Sequence, residues 1–215
     1  MSNSDRDHSF ASDPLARKSV REILTDMKDI SELMVDLSYA AIMFDSKDIA
    51  EEVRSLERQM QRLNHEIRIK AMLSARTYDD AIKLSGLLQV ASAAEAMSYA
   101  AVNIVHLAQC QIDKKPFLGF VLREAEEKIG RLVVAESSDM INRTLADMSV
   151  ESETGMRIIA IKRGKRWLYD PEGDVSLKTG DTLIVRGTDD GYEMLRGFVM
   201  GEAKWPEAPK EEEES

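Results

Sequence analysis

This chain has little of what most enzymes use. Among 215 residues there are one cysteine, Cys110, and three histidines. An internal disulfide is therefore excluded, and a reducing compartment suits the lone thiol. A nucleophile with its base is hard to assemble from so small a set, and neither G-x-S-x-G nor a zinc-protease helix motif occurs, so no enzyme activity is expected. Also missing are G-x-G-x-x-G and G-x-x-x-x-G-K-[ST], whose backbone amides cradle phosphate; Rossmann or P-loop nucleotide binding is excluded. The most apolar window, 86–108, is interrupted by Gln89, Glu95, Asn103 and His106, and no apolar run reaches the ~18 residues of a membrane span. Basic residues are outnumbered, 29 against 39 acidic, for a net charge of −10. That balance opposes non-specific attraction to nucleic acid or anionic lipid. The expectation is a cytoplasmic protein with no nucleic-acid partner and no direct membrane insertion. The polar opening stretch lacks the basic-then-apolar order of a secretory signal.

What the chain does have is apolar residues at alternating steps of three and four. Residues 1–13 are polar and expected to be disordered. Asp13 is placed to cap a helix with Pro14 at its first position. Val20, Ile23, Met27, Ile30, Met34, Leu37, Ala41 and Phe44 then form a bundle-type seam. Asp45 to Asp48 breaks the rhythm, which resumes from Ile49 to Ile67 and implies two antiparallel helices. A third helix is expected from Asp80 to Ile112, crowded with alanines (Ala91, Ala93, Ala94, Ala96, Ala100, Ala101) that would let a neighbouring helix come close. Pro116 opens an expected fourth helix running through Lys128, with Leu118, Val121, Leu122, Ala125 and Ile129 on one face and Gly130 ending it.

The pattern then changes to β. Met156 to Ile161 and Thr182 to Val185 read as buried strands and Arg166 to Tyr169 as a shorter one, with turns at 163–165 and 170–173. An earlier strand at 131–135, a short helix at 140–148 and a last helix at 192–198 complete the region. The stretch after Gly201 reads as an acidic, solvated tail. The fold class is thus α+β multi-domain: an antiparallel helical bundle over 14–128, a small α/β module over 129–200 and a tail over 201–215.

The ordered elements AIKRG (160–164), DPEGD (170–174) and TGDTLIVRG (179–187) resemble the TrkA C-terminal, or RCK C-terminal, domain. That family implies a regulatory subunit of potassium channels and transporters. The helical part resembles half of a PhoU protein, on the stretch Glu95 to Ile104. With one half present, the resemblance implies a homodimer that rebuilds a six-helix bundle. Together the two imply a ligand-sensing regulatory subunit of a potassium or other cation transport system. Its partner would be a membrane channel or transporter that holds it at the membrane periphery. The alternative is a PhoU-like adaptor in phosphate-transport signalling.

Candidate site residues follow from both parts. PhoU helices hold multivalent cations on carboxylates one turn apart; Glu32 and Asp36 have that spacing, and Glu95 matches the family glutamate although Tyr99 replaces its partner. In the C-terminal family, cyclic di-AMP binds between two copies of the module, which points to Arg157, Ile158 and Ile159 after the Gly155 turn. Glu151 would face the phosphate unfavourably and Arg157 would compensate. Ile158 and Ile159 also read simply as alternating between two buried sheet faces. The basic run Lys162, Arg163, Lys165, Arg166 sits on a hairpin tip, either solvated or an anion or docking patch.

Overall fold

The computed structural model describes residues 14–109 and 127–206. It divides into two compact units, one up to Asp113 and one from Lys114.

In the N-terminal unit a short helix, α1 (Pro14–Arg17), precedes three long ones: α2 (Val20–Met43), α3 (Lys47–Ser74) and α4 (Tyr78–Gln109). Each long helix begins on a side-chain cap that satisfies otherwise orphaned amides. Ser19 and Glu22 form a reciprocal capping box for α2. Ser46 caps α3, accepting from the Ile49 amide at 3.4 Å. Thr77 and Asp80 cap α4 in the same reciprocal way, each side chain accepting the other's amide at 3.1 Å. The seam residues Ile23, Met27, Met34, Leu37, Ile49, Val53, Met60, Leu63 and Ile67 are fully buried. The three helices all pack on one another.

Helix α4 runs unbroken through Gly86, and its alanines separate into two sets. Ala91, Ala94 and Ala101 are buried with Ser98 and Val105. These five residues follow one another at steps of three and four, so they are the seam that closes the three-helix core. Ala93, Ala96 and Ala100 are exposed.

The C-terminal unit is a four-stranded antiparallel sheet in the order β1-β4-β2-β3, built from β1 (Lys128–Val133), β2 (Arg157–Arg163), β3 (Arg166–Tyr169) and β4 (Thr182–Gly187). Two short helices, α5 (Leu145–Met148) and α6 (Val150–Thr154), lie between β1 and β2, and α7 (Asp189–Val199) follows β4. One face of the sheet carries the core, where Leu132, Ile158, Ile161, Leu183 and Val185 meet Leu195 and Val199 of α7. A bulge between Ile158 and Ala160 leaves Ile159 without a partner in β4.

Three expectations are corrected here. Lys128 to Gly130 form the first half of β1, not a helix end, and Gly130 pairs with Val185; the expected Pro116 helix otherwise lies outside the described residues, as does Asp13. Glycine is required at 130 because the Tyr192 ring of α7 lies where a Cβ would stand. Of the expected helix 140–148 only 145–148 is helical, and a second helix, α6, follows after Ser149, which adopts a left-handed conformation with φ 48°. The solvated tail begins later than expected: Trp205 is 4% exposed and joins the core. Its ring packs 4.8 Å from that of Phe198, and its amide donates to Asp139 Oδ2 at 2.9 Å.

Candidate functional site

A cleft of about 370 Å³ opens in the C-terminal unit between the α5–α6 pair, the start of β2 and the loop after β3. Its geometry follows from local sequence. Thr144 caps α5, accepting the Asp147 amide at 3.1 Å. Gly155 ends α6 at φ 69° and sends its amide to the Glu151 carbonyl at 2.8 Å. A left-handed C-cap turns the chain sharply, so β2 begins two residues later and Arg157 stands at the mouth of the cleft. The opposite wall is the Asp170-Pro171-Glu172-Gly173 loop. It is pinned to α5 by backbone bonds, Ala146 N–H to the Gly173 carbonyl at 2.8 Å and Leu145 N–H to the Val175 carbonyl at 3.0 Å.

Arg157 donates from Nη2 to Asp170 Oδ1 at 3.1 Å across the mouth, with both side chains partly exposed. Asp170 itself has φ 43°, a second non-glycine left-handed residue beside Ser149, and both line the cleft. Such conformations cost of order 1–3 kcal/mol and persist where surrounding contacts over-determine them. Glu151 and Ser152 add a polar wall, while Leu145, Val150, Met156, Ile158 and Pro171 supply the apolar floor and sides. The cleft thus offers one cation, Arg157, to an anionic group, two carboxylates that oppose negative charge, and an apolar floor for a flat surface.

Of the three C-terminal residues expected from sequence, Arg157 and Ile158 line this cleft together. Ile159 does not; it is fully buried at the bulge and lies outside the core cluster that holds Ile158. Sequence reasoning treated Asp170 to Gly173 as a turn and as part of the DPEGD resemblance, not as the wall of a site. Its Asp-Pro start and Gly173, whose place against Ala146 leaves little room for a Cβ, were the available signal.

The acidic residues of the helical unit are dispersed. Glu32 pairs with Lys28 at 2.9 Å one turn away. Asp36 is buried at 7% exposure and Glu95 is half-buried. Among the described residues, no group of three or more His, Cys, Asp or Glu side chains is gathered to hold a metal ion. Nor, among them, is any helix long and apolar enough to cross a membrane. The basic hairpin tip is partly spent on internal contacts. Arg163 turns inward to Asp181, and Lys162 lies over the Trp167 ring, 5.2 Å from its centroid.

Comparison with known proteins divides the chain in the same way. A PhoU domain family model matches residues 24–108, and a TrkA-C domain family model matches residues 129–199. Potassium channel protein 1 of Methanocaldococcus jannaschii is 26% identical over 85 residues, which are 40% of this chain and 26% of that protein. The chain thus spans about a quarter of that relative's length. Among solved structures, the C-terminal RCK domain of the potassium transport protein KtrA, in complex with cyclic diadenosine monophosphate, is 30% identical. It covers 38% of this chain and 93% of its own, with a TM-score of 0.32. Streptococcal (S. agalactiae) BusR in complex with its busAB-promotor DNA covers 84% of this chain and 97% of its own at 10% identity and a TM-score of 0.33. The chain is accordingly a PhoU domain followed by a TrkA-C domain, an α+β two-part protein.

Proposed function

We propose that this chain is a cytoplasmic, non-catalytic regulatory subunit of a potassium or other cation transport system, and that its TrkA-C domain senses a small anionic ligand. The observation that carries this reading is the Arg157–Asp170 pair at the mouth of the cleft. A partly exposed ion pair is worth only about 0–1 kcal/mol, so a phosphate can take Asp170's place on Arg157 at little cost while its apolar portion covers Ile158 and Pro171. Two such domains pair in a homodimer, and ligand that binds one arrangement of the pair more tightly shifts the population toward it. The transporter responds to that shift as a docked membrane partner.

Thermal unfolding with a panel of cyclic di-AMP, AMP, ATP, inorganic phosphate, K⁺, Mg²⁺ and Mn²⁺ tests the proposal. A ligand at about 100 times its dissociation constant adds about 2.7 kcal/mol to stability. Cyclic di-AMP, the ligand named for the KtrA domain, is expected to raise the midpoint, and Arg157→Ala to abolish the rise. A rise that survives Arg157→Ala, or a response to divalent ions or inorganic phosphate alone, overturns it.

A further inference from the structure

The cleft of the C-terminal unit holds two carboxylates for one guanidinium, and one of the two has no task inside the chain. Asp170 accepts from Arg157 at 3.1 Å. Glu151 lines the same cleft from α6, and among the described residues its carboxylate takes part in no hydrogen bond or ion pair. The neighbouring acid of α6 is placed differently. Glu153 follows two residues on, about 200° further round the helix, and does not line the cleft. Glu151 shares its wall with Ser152, and both residues are exposed.

A carboxylate accepts hydrogen bonds and donates none, whereas a guanidinium donates and never accepts. The cleft therefore asks two different things of one ligand: an anion for Arg157 and an N–H group for Glu151. An inorganic anion or a polyphosphate answers the first and leaves Glu151 facing like charge. A nucleotide whose base carries an amino group answers both, and its flat ring suits the apolar surface of Val150, Met156 and Ile158 in the same cleft. We infer that Glu151 is a specificity-determining residue: it accepts a hydrogen bond from the amino group of such a base while Arg157 holds the phosphate. This rests on the reading above that the cleft takes a phosphate-bearing ligand, and it names what that ligand carries besides the phosphate. A base without the donor leaves the carboxylate stripped of water and unpaired, the mismatch that hydrogen-bonding sites reject most strongly.

Isothermal titration of the full chain with cyclic di-AMP, and with the counterpart in which unsubstituted purine replaces each adenine, tests the inference. The two ligands differ only in the amino groups. The unmodified chain is expected to bind cyclic di-AMP at least about 10-fold more tightly. Glu151→Ala is expected to bring the ratio to about 1, by weakening cyclic di-AMP and by relieving its counterpart of the unpaired carboxylate. Glu151→Gln keeps the side chain's length and an accepting oxygen but loses the charge; it is expected to give an intermediate ratio, and it serves where the alanine variant does not fold. Glu153→Gln, the same loss of charge outside the cleft, is expected to leave the ratio unchanged. Equal binding of both ligands by the unmodified chain, or a preference that both Glu151 variants retain, overturns the inference while the phosphate site stands. A fall in the ratio that Glu153→Gln reproduces overturns it too, because such a fall reports overall charge and no contact. Binding of neither ligand overturns this inference together with the reading beneath it.

Discussion

Arg163 and Asp181 form a forked ion pair in which the carboxylate is enclosed. Nε donates at 2.9 Å and Nη2 at 2.7 Å, and 1% of the Asp181 side chain reaches solvent. The same guanidinium donates to the Ser176 carbonyl at 2.8 Å, and the Lys178 amide donates to Asp181 at 2.9 Å. One pair therefore ties together the end of β2, the 176–178 loop and the start of β4.

Removing one partner strands the other. Arg163→Met leaves a buried carboxylate with a single backbone donor and is expected to cost about 3–5 kcal/mol in urea unfolding. Arg163→Met/Asp181→Leu is expected to cost less than the sum of the two single changes, because it removes both charges.

Gly130→Ala drives a methyl group into the Tyr192 ring, and an overpacked site of this kind costs about 1–3 kcal/mol. Tyr192→Ser opens the space but gives up the ring and its hydroxyl bond to the Arg131 carbonyl. The double variant is expected to be more stable than the sum of the two losses, as measured by chemical denaturation.

Trp205→Ala removes a large ring from the C-terminal core and is expected to cost about 3–5 kcal/mol. Asp139→Ala deletes only the hydrogen bond to the Trp205 amide and is expected to cost about 1 kcal/mol. Truncation after Pro206 is expected to leave the unfolding midpoint of this unit unchanged, whereas truncation after Gly201 lowers it.

Much of this unit was legible because β-branched runs leave a strong mark. Ile158 to Ile161 and Leu183 to Val185 are strands in the structure as in the pattern. The errors fall where one residue has two physical uses. Gly130 reads as a helix stop, since that is where glycine most often follows an amphipathic run, yet it serves a close approach by Tyr192. Ser149 carries no glycine signal for its left-handed turn. Trp205 sits among Glu, Lys and Pro, and only tertiary packing shows that its ring belongs to the core. In α4 the six alanines looked alike in sequence, and burial alone separates the inner set from the outer. As for the cleft, Arg157 and Ile158 could be found from the Gly155 turn, but the Asp170 wall comes from residues 13 and more further along the chain.

Burial on α3 raises the Glu52 carboxyl above its ordinary 4.5, with Arg58 pulling weakly the other way. The folded chain then holds this proton more tightly than the unfolded chain. Its contribution to stability is fully present below the unfolded value and is lost as pH rises through the folded one. Glu52→Gln is expected to stabilise the protein at pH ~7 by less than about 1 kcal/mol and to change nothing near pH ~3.5. Thermal melts at the two pH values check the sign.

Asp170 competes with any anion for Arg157. Asp170→Asn weakens that competitor while keeping the side chain's shape, so a phosphate-bearing ligand is expected to bind about 3- to 10-fold more tightly, a change of about 1 kcal/mol. Isothermal titration against the unmodified chain measures it.

Ile159, which has no partner in β4, sets how β2 tolerates changes in length. Because it is the extra residue, Ile158 and Ile161 both reach the core although three positions apart. Deleting it would leave Ile158 and Ile161 two positions apart, the spacing at which a regular ladder already holds both on one face. Ile158 and Ile161 would both keep the core, and Arg157 its own side of the sheet. The bulge is thus a spare position: β2 can lose one residue here without handing the cleft's cation to the wrong side of the sheet, a loss that a strand in regular register could not absorb.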